Sequence, residues 1–224
     1  MISGSGAGSR YIDSNVKSEY YHTAELGSKA QLGKHVFISG ALFYTLTENE
    51  LYSNGSAHSG MAGANFVYGN YDYTQRFGVE LFSEQAFFDR SLRFSESFTY
   101  IDSKILKGNR AGVNVDGRAI PYVANYKGTI GINWDFSRMF GIWTQNSFVG
   151  NQYDMANKKM DAYILTDLGI DAHFGDLSAT LGVRNLFDTA YFMYYNSSDA
   201  DPVTEYSYLY APGRSFFLDL RYAF

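Results

Sequence analysis

APGRSFFLDLRYAF, residues 211–224, ends the chain and alternates in polarity from residue 215 onward. The apolar positions are all even: Phe216, Leu218, Leu220, Tyr222 and Phe224. The odd positions carry Ser215, Phe217, Asp219, Arg221 and Ala223. A period of two residues is the period of a β-strand. The stretch therefore predicts a strand with one apolar face that continues to the last residue.

Two kinds of protein accommodate such a strand. In a soluble β-sandwich, it would be an edge or central strand whose apolar face packs against a second sheet. In an outer-membrane barrel, the apolar face would meet lipid, neighbouring strands would satisfy every backbone group, and aromatic rings would lie at the membrane interface. The stretch alone is compatible with both, so the choice depends on the rest of the chain.

Composition and charge exclude other classes. A net charge of −5 and an isoelectric point near 5.3 argue against a general nucleic-acid binder. The chain contains no cysteine, which excludes disulfides, thiolate metal sites and cysteine nucleophiles. The longest mostly apolar run, 36–46, is shorter than the roughly 20 residues that a membrane-spanning helix needs. No spanning helix is therefore predicted.

The first ten residues, MISGSGAGSR, lack the charged start and apolar core of a signal peptide. For an exported protein, this predicts that the sequence is the end of a longer one.

Nine segments with strand-like alternation follow one another along the chain. They cover 19–32, 35–47, 71–87, 91–102, 122–136, 140–153, 160–174, 177–187 and 215–224. Short joints at 33–34, 88–90, 137–139 and 175–176 alternate with long joints at 48–70, 103–119, 154–159 and 188–212. In an antiparallel meander, all the short joints then lie at one end of the strands.

Short turns at one end and long loops at the other are typical of outer-membrane barrels. A soluble up-and-down barrel has inward apolar faces, and its loops need not differ in length between the two ends. The pattern therefore predicts an all-β fold: an antiparallel meander of about nine transmembrane strands, part of a larger outer-membrane barrel. Aromatic residues near strand ends fit interfacial girdles: Tyr20, Tyr44, Tyr100, Trp134, Phe136 and Tyr222.

Three side chains do not follow the alternation. Phe37 and Phe43 interrupt the polar face of segment 35–47. Glu96 falls on the apolar face of segment 91–102, where a β-bulge or a contact with another protein would account for it.

GVRNLFDTAYF (182–192), followed by YAPGRSFFLDLRYAF (210–224), resembles the C-terminal end of TonB-dependent outer-membrane receptors. In that family, an Asn-Leu-Phe-Asp segment precedes a Pro-Gly-Arg strand that ends in phenylalanine. The resemblance extends backwards through HTAELGSKAQL (22–32), NYDYTQRFGVEL (70–81) and GRAIPYVANYKGTIGINW (117–134), and it covers nearly the whole chain.

The resemblance implies uptake of a scarce nutrient, most often a ferric siderophore, by a protein of the bacterial outer membrane. The implied partners are outer-membrane lipid, the ligand, the barrel-assembly machinery and the TonB energy-coupling complex. The complex would act through an N-terminal box that this sequence does not contain. No plug domain is recognisable, so the expected organisation is a loop segment, 1–18, and a partial barrel, 19–224. Nine strands would leave two open edges, and the chain alone is not expected to close into a transporting pore.

Candidate ligand contacts lie in the long joints that would form the extracellular loops. Cationic side chains can pair with an anionic chelate, and tyrosines are adaptable aromatic contacts. The candidates are Arg110, Arg118, Tyr194, Tyr195, Tyr206 and Tyr208. Solvated loop charges and the interfacial girdle are the alternative explanations. In the family, the terminal aromatic strand is similar to the signal read by the assembly machinery, and here its residues are Tyr222 and Phe224.

Neither catalysis nor a bound metal or other cofactor is predicted. The four histidines are scattered at positions 22, 35, 58 and 173, and no zinc-protease, nucleophile-elbow or phosphate-loop motif occurs. Asp161, Asp167 and Asp171 share one face of segment 160–174. They would line a cation path or, as the simpler interpretation, a watery lumen wall with counter-charges such as Arg184. The other function class that stays open is a small autonomous barrel acting as a passive pore, an adhesin or a structural protein.

Overall fold

The computed structural model describes residues 2–3, 9–12, 16–54, 64–110, 112–196 and 207–224. Their regular structure consists of strands alone. No helix long and apolar enough to cross a membrane occurs within these ranges.

The described ranges contain seventeen strands. Their bounds are β1 Ile2–Ser3, β2 Ser9–Ile12, β3 Tyr20–Leu32, β4 Val36–Asn54, β5 Ala64–Phe87, β6 Leu92–Lys107, β7 Asn109–Arg110, β8 Val113–Asn114, β9 Tyr126–Trp134, β10 Phe140–Val149, β11 Gln152–Tyr153, β12 Lys159–Met160, β13 Tyr163–Phe174, β14 Leu177–Arg184, β15 Phe192–Asn196, β16 Ser207–Tyr210 and β17 Ser215–Tyr222.

Nine of these strands form one antiparallel meander. Each pairs with the next in the order β3, β4, β5, β6, β9, β10, β13, β14, β17. The predicted all-β meander is confirmed. At its outer end β5 also pairs in parallel with β2, which in turn pairs with β1. Among the described strands, β3 pairs only with β4 and β17 only with β14, so the sheet has two edges.

The strand register separates the two faces as the alternation predicts. On one face Leu181 lies between Ile170 and Leu218 on the neighbouring strands. The next residue, Thr180, points to the other face and lies between Asp171 and Asp219. We call these the apolar face and the polar face. Large apolar side chains on the first are exposed, with Leu181 at 59%, as expected for a surface that lipid covers.

The outer ends of three strands extend further than predicted. β4 continues to Asn54, β5 begins at Ala64 and β6 continues to Lys107. The described parts of the predicted loop 48–70 therefore belong to two strands that pair as a hairpin. Beyond the membrane both faces of a hairpin meet water. Hydropathy alternation then stops while backbone pairing continues, so a reading based on alternation ends these strands too early.

Two other strands, β9 and β14, are shorter than predicted. β9 begins at Tyr126 instead of residue 122, because a turn with Tyr122 at φ 61° precedes it. β14 ends at Arg184 instead of residue 187, because Asn185 takes φ 50° and turns the chain. At these two positions, a left-handed residue ends the strand although apolar side chains continue the pattern.

Aromatic side chains on the polar face cover glycines of the adjacent strand. The pairs are Phe43 over Gly78, Trp143 over Gly169 and Phe217 over Gly182, and a Cβ added to any of these glycines would overlap the ring. This packing explains Phe43, which appeared misplaced in the sequence. Phe37 packs edge-on against Phe82, with ring centroids 6.2 Å apart. These rings of the polar face thus pack over glycines or against one another.

At the short-turn end, four aromatic rings form a continuous row across neighbouring strands. Centroids are 5.7 Å apart for Trp134 and Phe136, 6.5 Å for Phe136 and Phe140, and 5.8 Å for Phe140 and Phe174. Amphipathic and aromatic side chains collect at a membrane interface. The row fits the girdle that the sequence predicts for Trp134 and Phe136.

Candidate functional site

The long connections contain a compact layer at one end of the sheet. Three of them carry a small hairpin of their own, formed by β7 with β8, β11 with β12, and β15 with β16. At the same end of the sheet, a buried apolar cluster joins Tyr71 of β5 and Ile105 of β6 to Val115 and Ile120 of the connection after β6. This buried core orders that connection, so side chains on it are held in place.

The connection after β6 folds back on its own strand. The Asp116 carboxylate accepts a hydrogen bond from the Gly108 amide at 2.8 Å, and the Asn114 side-chain oxygen accepts one from the Asp116 amide at 2.8 Å. Gly117 donates its amide to the Ile105 carbonyl at 2.7 Å and takes φ 77°, which favours glycine. These bonds bring Arg110 and Arg118 onto the buried cluster.

Arg110 is not the solvated loop charge that was the alternative explanation. Its side chain is 1% exposed, and its guanidinium donates to the Tyr71 hydroxyl at 3.1 Å and to the Met155 sulfur at 3.4 Å. Burial raises the pKa of the Tyr71 phenol, and the Arg110 guanidinium opposes that rise. Arg110 thus ties the β7–β8 hairpin to the β11–β12 hairpin.

Arg118 is half-buried at a depression of about 500 Å³. Side chains of both charges line this depression with it, including Asp102, Lys104 and Asp116. Tyr153 and Asn157 of the β11–β12 hairpin complete the wall. The depression is large enough for part of a small ligand, and its polar groups come from β6 and from two separate connections.

The predicted tyrosines belong to the β15–β16 hairpin. Tyr195 pairs with Tyr208 in its backbone register, and Tyr194 pairs with Leu209. The side chains of Tyr194, Tyr195 and Tyr208, and all of Tyr206, lie outside the described residues. The hairpin base is held by Phe192 against Tyr210, with ring centroids 4.8 Å apart.

The polar face holds a charged pair below this layer. The Arg76 guanidinium donates to both carboxylate oxygens of Glu50, at 2.9 and 2.6 Å, and the Thr74 hydroxyl donates to the same carboxylate. Asn49 takes φ 55°, and this left-handed residue lets Glu50 reach a face that strict alternation denies it. The sequence reading missed this pair, because Glu50 fell in a predicted loop. The sequence signal that could have revealed the pair was Asn49, because asparagine tolerates a left-handed conformation.

The three aspartates of segment 160–174 do not form one array. Asp167 accepts the Asn185 amide at 2.9 Å, and Asp171 accepts the Thr180 hydroxyl at 2.6 Å. Asp161 precedes β13 and lies near Lys159, 3.9 Å away. Arg184 lies over the Phe217 ring, 5.1 Å from its centre. Within the described ranges, no group of three or more metal-binding side chains comes together.

The described histidines lie far apart and each meets a different group. His22 contacts Glu48 at 3.2 Å, His35 contacts the Ala86 carbonyl at 2.9 Å and His173 contacts the Ser178 hydroxyl at 3.0 Å. His58 lies outside the described residues. The described histidines thus share no common site.

The two parts of the C-terminal motif are in direct contact. Asp188 accepts a hydrogen bond from the Arg214 amide at 2.7 Å, and the Arg214 guanidinium lies 3.9 Å from the same carboxylate. Gly213 is required beside Asp188, because an added Cβ would approach its carboxylate oxygen to 2.8 Å. The Asn-Leu-Phe-Asp turn therefore holds the start of the final strand, although Arg214 follows Asp188 by twenty-six residues in the sequence.

Asn185 organises this turn. Its side chain donates to the Thr189 carbonyl at 2.9 Å and accepts the Thr189 amide at 2.8 Å. It is 5% exposed and takes φ 50°, a conformation that asparagine tolerates better than most residues. The asparagine and the aspartate of the motif thus have distinct structural tasks.

Comparison with protein families gives one match. A model described as "TonB dependent receptor-like, beta-barrel" matches residues 2–186. No curated protein sequence matches the chain.

Solved structures share the fold at low sequence identity. The ferric-catecholate import receptor Fiu from E. coli K12 is 23% identical with a TM-score of 0.70, and the match covers 99% of this chain and 30% of that one. The ferric yersiniabactin uptake receptor FyuA from Yersinia pestis is 20% identical with a TM-score of 0.73, covering 92% and 30%. The copper transporter OprC is 17% identical with a TM-score of 0.72, covering 93% and 32%. The chain thus spans about a third of the length of these proteins.

Proposed function

Because the chain belongs to the TonB-dependent receptor-like β-barrel family, we propose that it forms part of the barrel wall of a receptor for active uptake of a scarce nutrient. Members of this family are receptors and transporters of the bacterial outer membrane, and the chain lies in that membrane. The family match over residues 2–186 is the observation that carries the proposal.

The proposed ligand is a ferric siderophore. Two of the structures that share the fold import ferric chelates, according to their names, and a third transports copper. Uptake would draw energy from the TonB complex, acting through parts of the receptor beyond this chain. Residues 19–224 would be wall and loops. Residues 1–18 would join the outer loop layer, since β2 pairs with the outer end of β5.

The proposed ligand contacts are Arg118 and the tyrosines of the β15–β16 hairpin. A guanidinium pairs with the carboxylates or catecholates of a chelate, and phenol rings supply flat contact area. Arg118 lines the depression of about 500 Å³. Tyr194, Tyr195, Tyr206 and Tyr208 belong to or adjoin the β15–β16 hairpin. Arg110 would hold the loop layer in shape from within, because it is buried against Tyr71.

Replacing Arg118 by alanine is expected to weaken binding of an anionic ferric chelate about tenfold, the size of one charge-assisted hydrogen bond. The measurement is a titration of the whole receptor with a panel of ferric siderophores, together with growth and iron-uptake assays on the same panel. Arg138→Ala, in the opposite short turn, is the matched control. Uptake of no chelate in the panel would contradict the proposed ligand, and equal affinities of both variants would contradict the role of Arg118.

The loop layer is expected to face the cell exterior. Since the chain contains no cysteine, a single cysteine in place of Asn114, the last residue of β8, or of Lys34, in a short turn, reports its own accessibility. A membrane-impermeant maleimide should label the first on intact cells and the second only after the outer membrane is opened. The reverse pattern would invert the topology, and with it the proposed position of the loops at 48–70, 103–119 and 188–212.

The terminal aromatic strand is expected to serve assembly. Phe224 is fully exposed beyond β17, with its ring 6.2 Å from that of Tyr222, so it contributes little to folded-state packing. Phe224→Ala should reduce the amount of heat-modifiable folded barrel severalfold and leave ligand affinity per folded molecule unchanged. Phe88→Ala, an exposed aromatic residue in a short turn, is the control. Equal assembly of the two variants would argue against a role of Phe224 as an assembly signal.

A further inference from the structure

Glu96 lies on the apolar face in the middle of the membrane span. Its neighbours in the register are Ser83 on β5 and Ile130 on β9. Four residues toward the short turns lies Leu92, which pairs with Trp134 of the aromatic row, and four residues toward the loops lies Tyr100, which pairs with Tyr126. Leu92 and Tyr100 are thus each about 13 Å along the strand from Glu96. The register is continuous on both sides of Glu96, so the bulge that would have explained it is excluded.

Two neighbouring side chains hydrogen-bond the Glu96 carboxylate. The Ser83 hydroxyl donates to Oε2 at 2.5 Å and the Gln85 amide donates to the same oxygen at 2.9 Å. Gln85 also donates to the Ser83 oxygen at 3.0 Å. We call these three residues the membrane-face triad.

The second oxygen of the Glu96 carboxylate has no hydrogen-bond donor among the described residues. A carboxylate has about four acceptor positions, and in the described ranges no hydrogen bond reaches Oε1 of Glu96. Ionisable groups inside the hydrocarbon region are costly and mark functional sites. A molecule that lies in the membrane beside the triad could supply a donor to this oxygen.

A groove of about 610 Å³ runs along the apolar face at this point. Outward-facing side chains that line it include Ala30, Ile38, Leu81, Ser83, Glu96 and Ile130. The lining residues come from six adjacent strands, β3, β4, β5, β6, β9 and β10, so the groove crosses the strands. Glu96 lies on the fourth of these six, near the middle of its length.

The dimensions of the groove decide what fits. Six strands spaced about 4.8 Å apart extend over about 24 Å, and about 610 Å³ over that length is a mean cross-section of about 25 Å². A whole α-helix, about 10–12 Å across with its side chains, could contact such a groove with one face only. An extended hydrocarbon chain is slender and apolar, as the groove requires.

We propose that the groove holds a lipid acyl chain whose hydroxyl group donates a hydrogen bond to Glu96. A hydroxyl is the smallest neutral donor that such a chain carries, whereas a charged donor would add its own desolvation cost. A second copy of the protein centred on this groove is disfavoured, because its Glu96 would face the first across a medium of low dielectric constant. The lipid instead supplies the donor that Oε1 lacks.

The experiment uses the whole protein, extracted from its outer membrane and placed in nanodiscs. The probes are two synthetic phospholipids of equal chain length, one with a hydroxyl on the acyl chain and one without. Native mass spectrometry measures how much of each stays bound. Wild type should retain the hydroxylated lipid about tenfold better, the size expected for one hydrogen bond to a carboxylate.

Three variants test the site. Glu96→Leu should abolish the preference, and Ala30→Phe should reduce retention of both lipids by filling the groove. Thr166→Val is the control, since Thr166 donates to Asn146 at 2.8 Å on the same face and lies outside the groove. If Glu96→Leu fails to fold, the lipid preference of the wild type and the lipid retention of Ala30→Phe still test the proposal.

Three results would overturn the proposal. Wild type could retain the two lipids equally, Glu96→Leu could keep the preference, or a protein chain could cross-link to a photoreactive group at position 96 in place of lipid. The last result would assign the triad to a protein contact. A tenfold preference lost in Glu96→Leu and kept in Thr166→Val is the supporting outcome.

Discussion

Arginine in place of Leu181 is expected to lower the free energy of unfolding in a bilayer by about 2–4 kcal/mol. Leu181 lies near the middle of β14, between Ile170 and Leu218, and 59% of its surface is exposed on the apolar face. A charged side chain there would face hydrocarbon near the midplane of the membrane, where the cost is greatest. The measurement is reversible urea unfolding of the protein folded into phospholipid vesicles.

Thr180→Arg is the matched control, because it places the same side chain one residue away on the opposite face. Thr180 donates to Asp171 at 2.6 Å and pairs with Asp219 in the register, so an arginine there would lose one hydrogen bond and gain two carboxylate neighbours. The expected change is within about 1 kcal/mol. Equal destabilisation by the two substitutions would mean that the apolar face does not meet lipid.

Alanine in place of Asn185 is expected to destabilise the protein by about 2–4 kcal/mol. The substitution removes both side-chain hydrogen bonds to Thr189 and leaves the Thr189 amide without its acceptor. It also forces alanine into a backbone conformation with φ 50°, which asparagine tolerates better. Because the same turn presents Asp188 to the Arg214 amide, the start of β17 should loosen as well. Urea unfolding measures the first effect, and amide hydrogen exchange in 211–218 measures the second.

Asn157→Ala separates the backbone cost from the cost of the hydrogen bonds. Asn157 also takes a left-handed conformation, φ 62°, but it is exposed. Its replacement should cost about 1 kcal/mol, the backbone part alone. If Asn185→Ala and Asn157→Ala cost the same, the Asn185 side chain does not organise the C-terminal turn. Unchanged hydrogen exchange in β17 would argue against the link from that turn to the final strand.

The membrane-spanning part of each strand could be predicted from the sequence, because lipid on one face and polar groups on the other impose a period of two. β3, β13 and β17 accordingly begin and end within a few residues of their predicted bounds. The outer hairpin of β4 and β5 could not be predicted, because water on both faces removes that period while the backbone stays paired. The burial of Arg110 could not be predicted either, since its partners Tyr71 and Met155 come from two other parts of the chain.

The sequence by itself determined which face of each strand is apolar, the order of short turns and long connections, and the family. All three depend only on residue types and their spacing along the chain. Only the tertiary structure decided which groups on different strands meet. The contacts of Glu50 with Arg76 and of Asp188 with Arg214 depend on a left-handed asparagine before Glu50 and on a tight turn that brings Asp188 to β17. The membrane-face triad likewise exists because the register sets β6 beside β5 with Glu96 opposite Ser83. Register is a property of paired strands, and a slip of one residue would turn Glu96 away from the lipid.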